Sequence, residues 1–164
     1  MSSAEPWLRG PVEGVTPQLQ PIAHALLFAR EELERMLPPL SAEQVWLRPG
    51  NIAPIGYHVR HCMGSVRRML TYARGAALSD EQFAELKAEK ADAPEMDGAA
   101  LWQLAQEVLD ETIAALRAMS PERLDEPRVV GRKQLPSNVR GLFSEIAVHT
   151  ARHVGQIATT AKLL

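Results

Sequence analysis

Apolar residues recur at steps of three and four along most of the chain, and that spacing predicts helices with one buried face each. Ile22, Leu26, Ala29, Leu33 and Leu37 form the first stripe. Pro21 suits its first turn, where no backbone N–H is needed, and Pro38-Pro39 stops it. A short piece begins at Ser41, where Ser41 and Gln44 match a capping box, and ends at Pro49-Gly50. A second long helix starts near Pro54, buries Ile55, Val59, Cys62, Val66, Leu70 and Ala73, and has Gly75 as its C-terminal stop. Residues 79–90 open with another Ser-x-x-Gln box and read as a short, mostly exposed helix. Asp97 caps a third long helix with Leu101, Leu104, Ala105, Val108, Leu109, Thr112, Ala115 and Leu116 on its inner side. Residues 119–137, with three prolines and Gly131, form a long connection in which Val129-Val130-Gly131 suggests a small hairpin-like turn. The last helix runs from about Asn138 to the end of the sequence.

Four long amphipathic helices without a convincing strand predict an all-α fold: a four-helix bundle with long connections and one or two short extra helices. Residues 1–18, broken by Pro6, Gly10, Pro11, Gly14 and Pro17, read as an irregular lead-in to one domain over 19–164.

Composition narrows the partners. The 164 residues are 46% hydrophobic and 23% charged, with a net charge of −2 and no run of Lys or Arg, which argues against a nucleic-acid partner. No stretch approaches the roughly 20 apolar residues of a membrane span, and MSSAEPWLRGPVEG does not read as a signal peptide. The single cysteine, Cys62, fits a cytoplasmic protein and, on an apolar stripe with no acid–base pair in view, a small buried hydrophobe.

The five histidines carry the candidate chemistry. Leu142, Ile146, His149, His153 and Ile157 continue one stripe, so His149 and His153 stand where aliphatic side chains are expected. Two imidazoles one turn apart can supply two ligands to one ion, while the plainer reading is a pair of partly exposed, hydrogen-bonded histidines. A third ligand is available in GYHVRHCMG, as His58 or His61. Helical phase puts His58 nearer the stripe and His61 at its flank, slightly favouring His58. His24 lies opposite Ile22, Leu26 and Leu33 and is expected in solvent. Glu145 and Gln156, near the histidine pair, are candidates to support ligands or orient water, or else are ordinary polar residues at a helix margin. Glu145 stands four residues before His149, not three, so the Glu-x-x-His motif of carboxylate-bridged di-iron bundles is absent.

PIGYHVRHCMGSV at 54–66 and LFSEIAVHTARHVGQI at 142–157, with LSAEQVWLRPG ahead of the first, resemble the DinB/YfiT-like superfamily of metal-dependent four-helix bundles. The resemblance spans most of residues 20–164 and is carried by the His-x-x-x-His-x-Gly-Gln ending. It aligns the first ligand with His61, leaving His58 as a supporting neighbour, and implies a set of His61, His149 and His153 around a divalent ion, zinc or nickel. It also suggests that Gly155 allows close helix approach and that Gln156 supports the ligands. Members of the superfamily include S-transferases that join bacillithiol, mycothiol or glutathione to electrophiles, and mycothiol-dependent isomerases. The resemblance therefore implies a thiol-dependent S-transferase with a small-molecule thiol and a small electrophile as substrates, in a homodimer. A metal-dependent hydrolase, or a non-enzymatic dimeric bundle for ligand binding or stress, is the alternative.

Overall fold

A computed structural model describes residues 4–164, so the first three residues of the expected lead-in lie outside it. The helices are α1 (Gln20–Met36), α2 (Ala42–Trp46), α3 (Ile55–Ala73), α4 (Asp80–Ala88), α5 (Gly98–Arg117) and α6 (Val139–Ala161). The ends form where local chemistry predicts. Ser41 and Ser79 make reciprocal capping boxes with Gln44 and Gln82, and Asp97 and Asn138 accept from the backbone N–H of Ala100 and Gly141. Each such cap is worth about 1 kcal/mol. Gly75, at φ +84°, closes α3 by donating to the Tyr72 carbonyl while Ala76 donates to that of Thr71, a left-handed stop that glycine adopts without a Cβ penalty.

The four long helices α1, α3, α5 and α6 form the bundle. α3 packs between α5 and α6, and α1 closes the ring against the same two. Trp46 ties the starts of α3 and α5 to one end: its ring covers Gly56 and its Nε1 donates to the Met96 carbonyl at 2.9 Å. Further along, Arg67 pairs with Glu107 and Arg74 with Glu111, so α3 and α5 run parallel. Between them α4 lies outside the bundle, with no buried residue among Asp80–Ala88.

The core includes all the apolar residues predicted for α1 and α3. On α5 it takes Leu101, Ala105, Val108, Leu109, Thr112, Ile113 and Leu116, while Leu104 and Ala115 are only partly buried. Ile113 was not expected inside; the stripe is wider than one row because α5 packs against both α1 and α3. The hairpin-like turn is a real two-stranded antiparallel sheet, β1 (Pro127–Val130) with β2 (Leu135–Asn138), paired Pro127 with Asn138 through Val130 with Leu135. The second strand gave no alternating signal, having one apolar residue and Pro136. It ends on Asn138, the cap of α6, and so delivers the chain to the helix that carries two histidines. No helix among the described residues is long and apolar enough to cross a membrane.

Candidate metal centre

The histidines gather at the seam between α3 and α6. One ring nitrogen from each of His61, His149 and His153 lies within 4.8 Å of the other two. Ring centroids are 4.5 Å apart for His149 and His153, 5.1 Å for His61 and His153, and 5.3 Å for His61 and His149. The four-residue step on α6 stacks two imidazoles one turn apart, and α3 brings His61 against both. His58 completes the cluster from one turn earlier on α3, buried at 8% exposure, with its Nδ1 3.2 Å from Nδ1 of His153. Periodicity placed His58 at the buried stripe and His61 at its flank, and both positions hold: His61 is half-buried. It is the flanking residue that reaches the α6 pair as part of the triad.

The bonding of the rings decides which nitrogens remain. Nδ1 of His61 lies 3.0 Å from Oε2 of Glu89, a carboxylate that can only accept, so the neutral ring carries its proton on Nδ1 and keeps Nε2 as a lone pair. Between His58 and His153 one Nδ1 donates and the other accepts; with His153 donating, its Nε2 is likewise a lone pair. The Nε2 atoms of His149 and His153 are buried and have no hydrogen-bond partner. Nδ1 of His149 accepts a long contact of 3.4 Å from Nη2 of Arg152, so in the metal-free neutral ring the proton sits on Nε2, and ligation there requires that proton to move to Nδ1. Burial pushes His149 down to about 4, helped by the neighbouring His61 and Arg152, and pushes His153 down to about 3, helped by His149. Burial also lowers His58. At neutral pH the two α6 rings are therefore neutral, the form that ligates a metal.

Two neutral rings with buried, unpartnered Nε2 atoms, clustered with a third ring fixed by a carboxylate, fit a divalent ion. Buried polar atoms are otherwise satisfied in folded proteins, and unpaired ones ask for a partner. Nitrogen donors of this kind suit zinc and nickel.

Glu89 was not legible beforehand. It caps α4 at 5% exposure and is gripped by Arg68, whose Nη1 bonds Oε1 and whose Nη2 lies 3.3 Å from Oε2. Burial alone would raise its pKa, but the bonds from His61 and Arg68 bring it below the usual carboxylate range. The available signal was the run His61, Gly64, Arg68 on one face of α3, where a buried cation requires an acid. Nothing in AELKAEK distinguished Glu89 from Glu85.

Other candidates fall elsewhere. Glu145 is exposed, outside the buried line of Leu142, Phe143 and Ile146, and no hydrogen bond or ion pair joins it to a histidine among the described residues. Gln156 is exposed and bonds no ring; it lines a cavity of about 560 Å³ with Ile52, His58, Arg152 and Thr160. Gly155 does not serve close helix approach, because an added Cβ would meet nothing within 4 Å; it opens onto the same cavity. His24 is not free in solvent but half-buried, with Nε2 3.0 Å from the Gly10 carbonyl. Cys62 is buried, and burial raises its thiol to about 12, in keeping with a core residue.

The sequence pattern of the DinB superfamily matches residues 5–157. The chain belongs to the DinB superfamily. Among solved structures it is similar to YfiT from Bacillus subtilis, described as "a probable metal-dependent hydrolase with an unusual four-helix bundle topology". The two share 16% identity over 93% of this chain and 91% of YfiT, with a TM-score of 0.64, a likeness of fold. No curated protein matches the sequence. In this DinB-superfamily chain His61, His149 and His153 each offer one ring nitrogen within 4.8 Å of the other two, and His58 lies beside them.

Proposed function

We propose that this DinB-superfamily chain is a divalent-metal-dependent enzyme whose ion, zinc or nickel, is held by His61, His149 and His153, and that it transfers a small-molecule thiol to a small electrophile. The observation that carries the reading is the pair of buried, unpartnered Nε2 atoms on His149 and His153 within a three-ring cluster. Bound to three neutral imidazoles, such an ion keeps its full charge and lowers the pKa of a thiol or water that reaches it. The protein's own groups prepare the place. Glu89 holds the ring proton of His61 on Nδ1, and His58 offers an acceptor that can hold that of His153 on Nδ1. Tyr57 stacks on His61 with ring planes 5° apart and limits its rotation. The cavity beside His58 provides room for a substrate, and Arg152 at its wall, 3.4 Å from Nδ1 of His149 and in no ion pair among the described residues, can turn its charge to an anionic substrate group. Cys62 is sealed in the core, so the thiol comes from a small molecule. A thiol-using reaction in a reducing cytoplasm belongs to the same reading, as does a homodimer.

Hydrolysis is the second reading. It is favoured by the likeness to YfiT and needs the same centre with water as the nucleophile.

Metal analysis of protein purified without chelators, wild type beside His149→Ala and His153→Ala, tests the centre. Near-stoichiometric metal in the wild type and its loss in both variants is expected; a metal-free wild type overturns the enzyme reading and favours a non-enzymatic bundle. With metal present, a panel of low-molecular-weight thiols and a model electrophile is compared with ester and amide hydrolysis. Turnover that requires a thiol supports transfer, whereas thiol-independent hydrolysis replaces it with the second reading.

A further inference from the structure

We infer that Glu89 is a positioning residue for His61, and that Gly64, Arg68 and Arg60 exist on α3 to seat its carboxylate. The inference rests on the proposed metal centre for its purpose, but the positioning itself can be observed without metal.

Four residues of one helix converge on this acid. His61 receives it, at 3.0 Å from Nδ1 to Oε2. Arg68, two turns further along, neutralises it with both terminal nitrogens. Arg60 donates to the carbonyls of Ala88 and Ala91, on either side of Glu89, and pins the backbone that presents it. Gly64, between His61 and Arg68 on the same face, supplies the space: a Cβ there would lie 2.1 Å from Oε1 of Glu89. Any side chain at position 64 therefore displaces the carboxylate.

Core stability does not explain this arrangement. α4 buries none of its own residues, so the packing of the bundle does not require Glu89 at its end. The side chains of Glu89 and Arg68 are 6% and 10% exposed, and the desolvation of two charges roughly cancels their attraction. Such a pair is retained where it fixes a geometry. What it fixes is the ring of His61, the triad member that comes from α3 and is the most open, at 26% side-chain exposure. Without an acceptor at Nδ1 the neutral imidazole is free to carry its proton on Nε2, which cannot then ligate. Glu89 is not a fourth ligand: its oxygens are outside the cluster of mutually close donors formed by the three histidines.

Gly64→Ala is the sharpest test, since it removes no polar group and favours the helix. The double variant Arg68→Met/Glu89→Leu is its companion, removing the acceptor at Nδ1 together with both charges, so that neither charge is left buried alone. Imidazole ¹⁵N NMR of the metal-free protein reads the tautomer of His61, and Co²⁺ titration followed by its visible spectrum reads affinity and ligand geometry. Wild type is expected to hold His61 as the Nδ1–H tautomer. Both variants are expected to shift it towards Nε2–H and to weaken Co²⁺ binding by about 10–100-fold, the usual cost of losing such a partner. An unchanged tautomer in both variants, with each still folded by circular dichroism, overturns the inference. A shifted tautomer in a protein whose wild type binds no Co²⁺ upholds the positioning and removes the metal centre instead.

Discussion

His58 and His153 meet nitrogen to nitrogen across the seam between α3 and α6, their Nδ1 atoms 3.2 Å apart. Two imidazoles at this distance share one proton, and both pKa values are lowered, so the contact joins two neutral rings. When His153 is the donor, His58 accepts from the ring whose other nitrogen is proposed to bind the metal. Replacing it with Ala is expected to weaken metal binding about tenfold, and His58→Asn, whose amide oxygen can still accept, to lose less. Isothermal titration with Zn²⁺ against a competing chelator checks the order.

Acid acts on the same cluster with a definite sign. His149 and His153 titrate at about 4 and 3 when folded, against 6.5 as the ordinary value. Between these values the unfolded chain binds more protons, so stability is complete above about pH 6.5 and falls as pH drops towards 3. Glu89, a carboxyl held low in the fold, adds loss in the same direction. The thermal midpoint of metal-free wild type is expected to fall between neutral pH and about pH 4, and His149→Phe/His153→Leu to give a flatter profile. A midpoint that rises on acidification contradicts the assignment of neutral buried rings.

Two glycines are expected to respond oppositely to alanine. A Cβ on Gly98 would lie 1.9 Å from the Leu37 carbonyl oxygen, where α5 starts against the end of α1. Backbone cannot step aside cheaply, and a loss of about 1–3 kcal/mol is expected. At Gly155 a Cβ meets open space, and the gain in helix propensity is about 1 kcal/mol. Urea unfolding of the two variants measures both.

Cys62 is expected to be inert. Buried at 1% exposure and with its thiol raised to about 12, it has almost no thiolate at neutral pH. Iodoacetamide is expected to label it only after denaturation, and Cys62→Ala to retain metal binding and any turnover. Loss of thiol-dependent turnover in that variant, with metal still bound, would return the nucleophile to the protein.

The bundle was legible because its helices carry apolar stripes and explicit caps: Ser41, Ser79 and Asp97 cap where the local pattern places them, and Asn138 caps the last helix at its expected start. The α6 half of the centre was legible for a related reason, since His149 and His153 interrupt a stripe that otherwise holds aliphatic residues. The choice between His58 and His61 was not decided by periodicity, because a seam between two helices uses the flank of a stripe as well as its middle. Glu89 was hidden for a different reason. Its burial is created by α4 folding back on α3, and a charged residue in a charged segment shows no trace of that in its neighbours. The roles suggested for Gly155 and Gln156 depended on which way each faces around α6, and both face outward.

The proposed centre has one further consequence, for the order in which the protein comes apart. His61 belongs to α3 and its partners to α6, with α4, α5 and the hairpin intervening along the chain. An ion gripped from both sides acts as a rivet between segments that are synthesised far apart in time, and it can be set only after α6 has docked. Occupancy then adds to the free energy of keeping α6 in place by mass action. Amide hydrogen exchange along α6 is where that rivet would be felt first, slowing as metal is added while α4, which buries nothing of its own, continues to exchange.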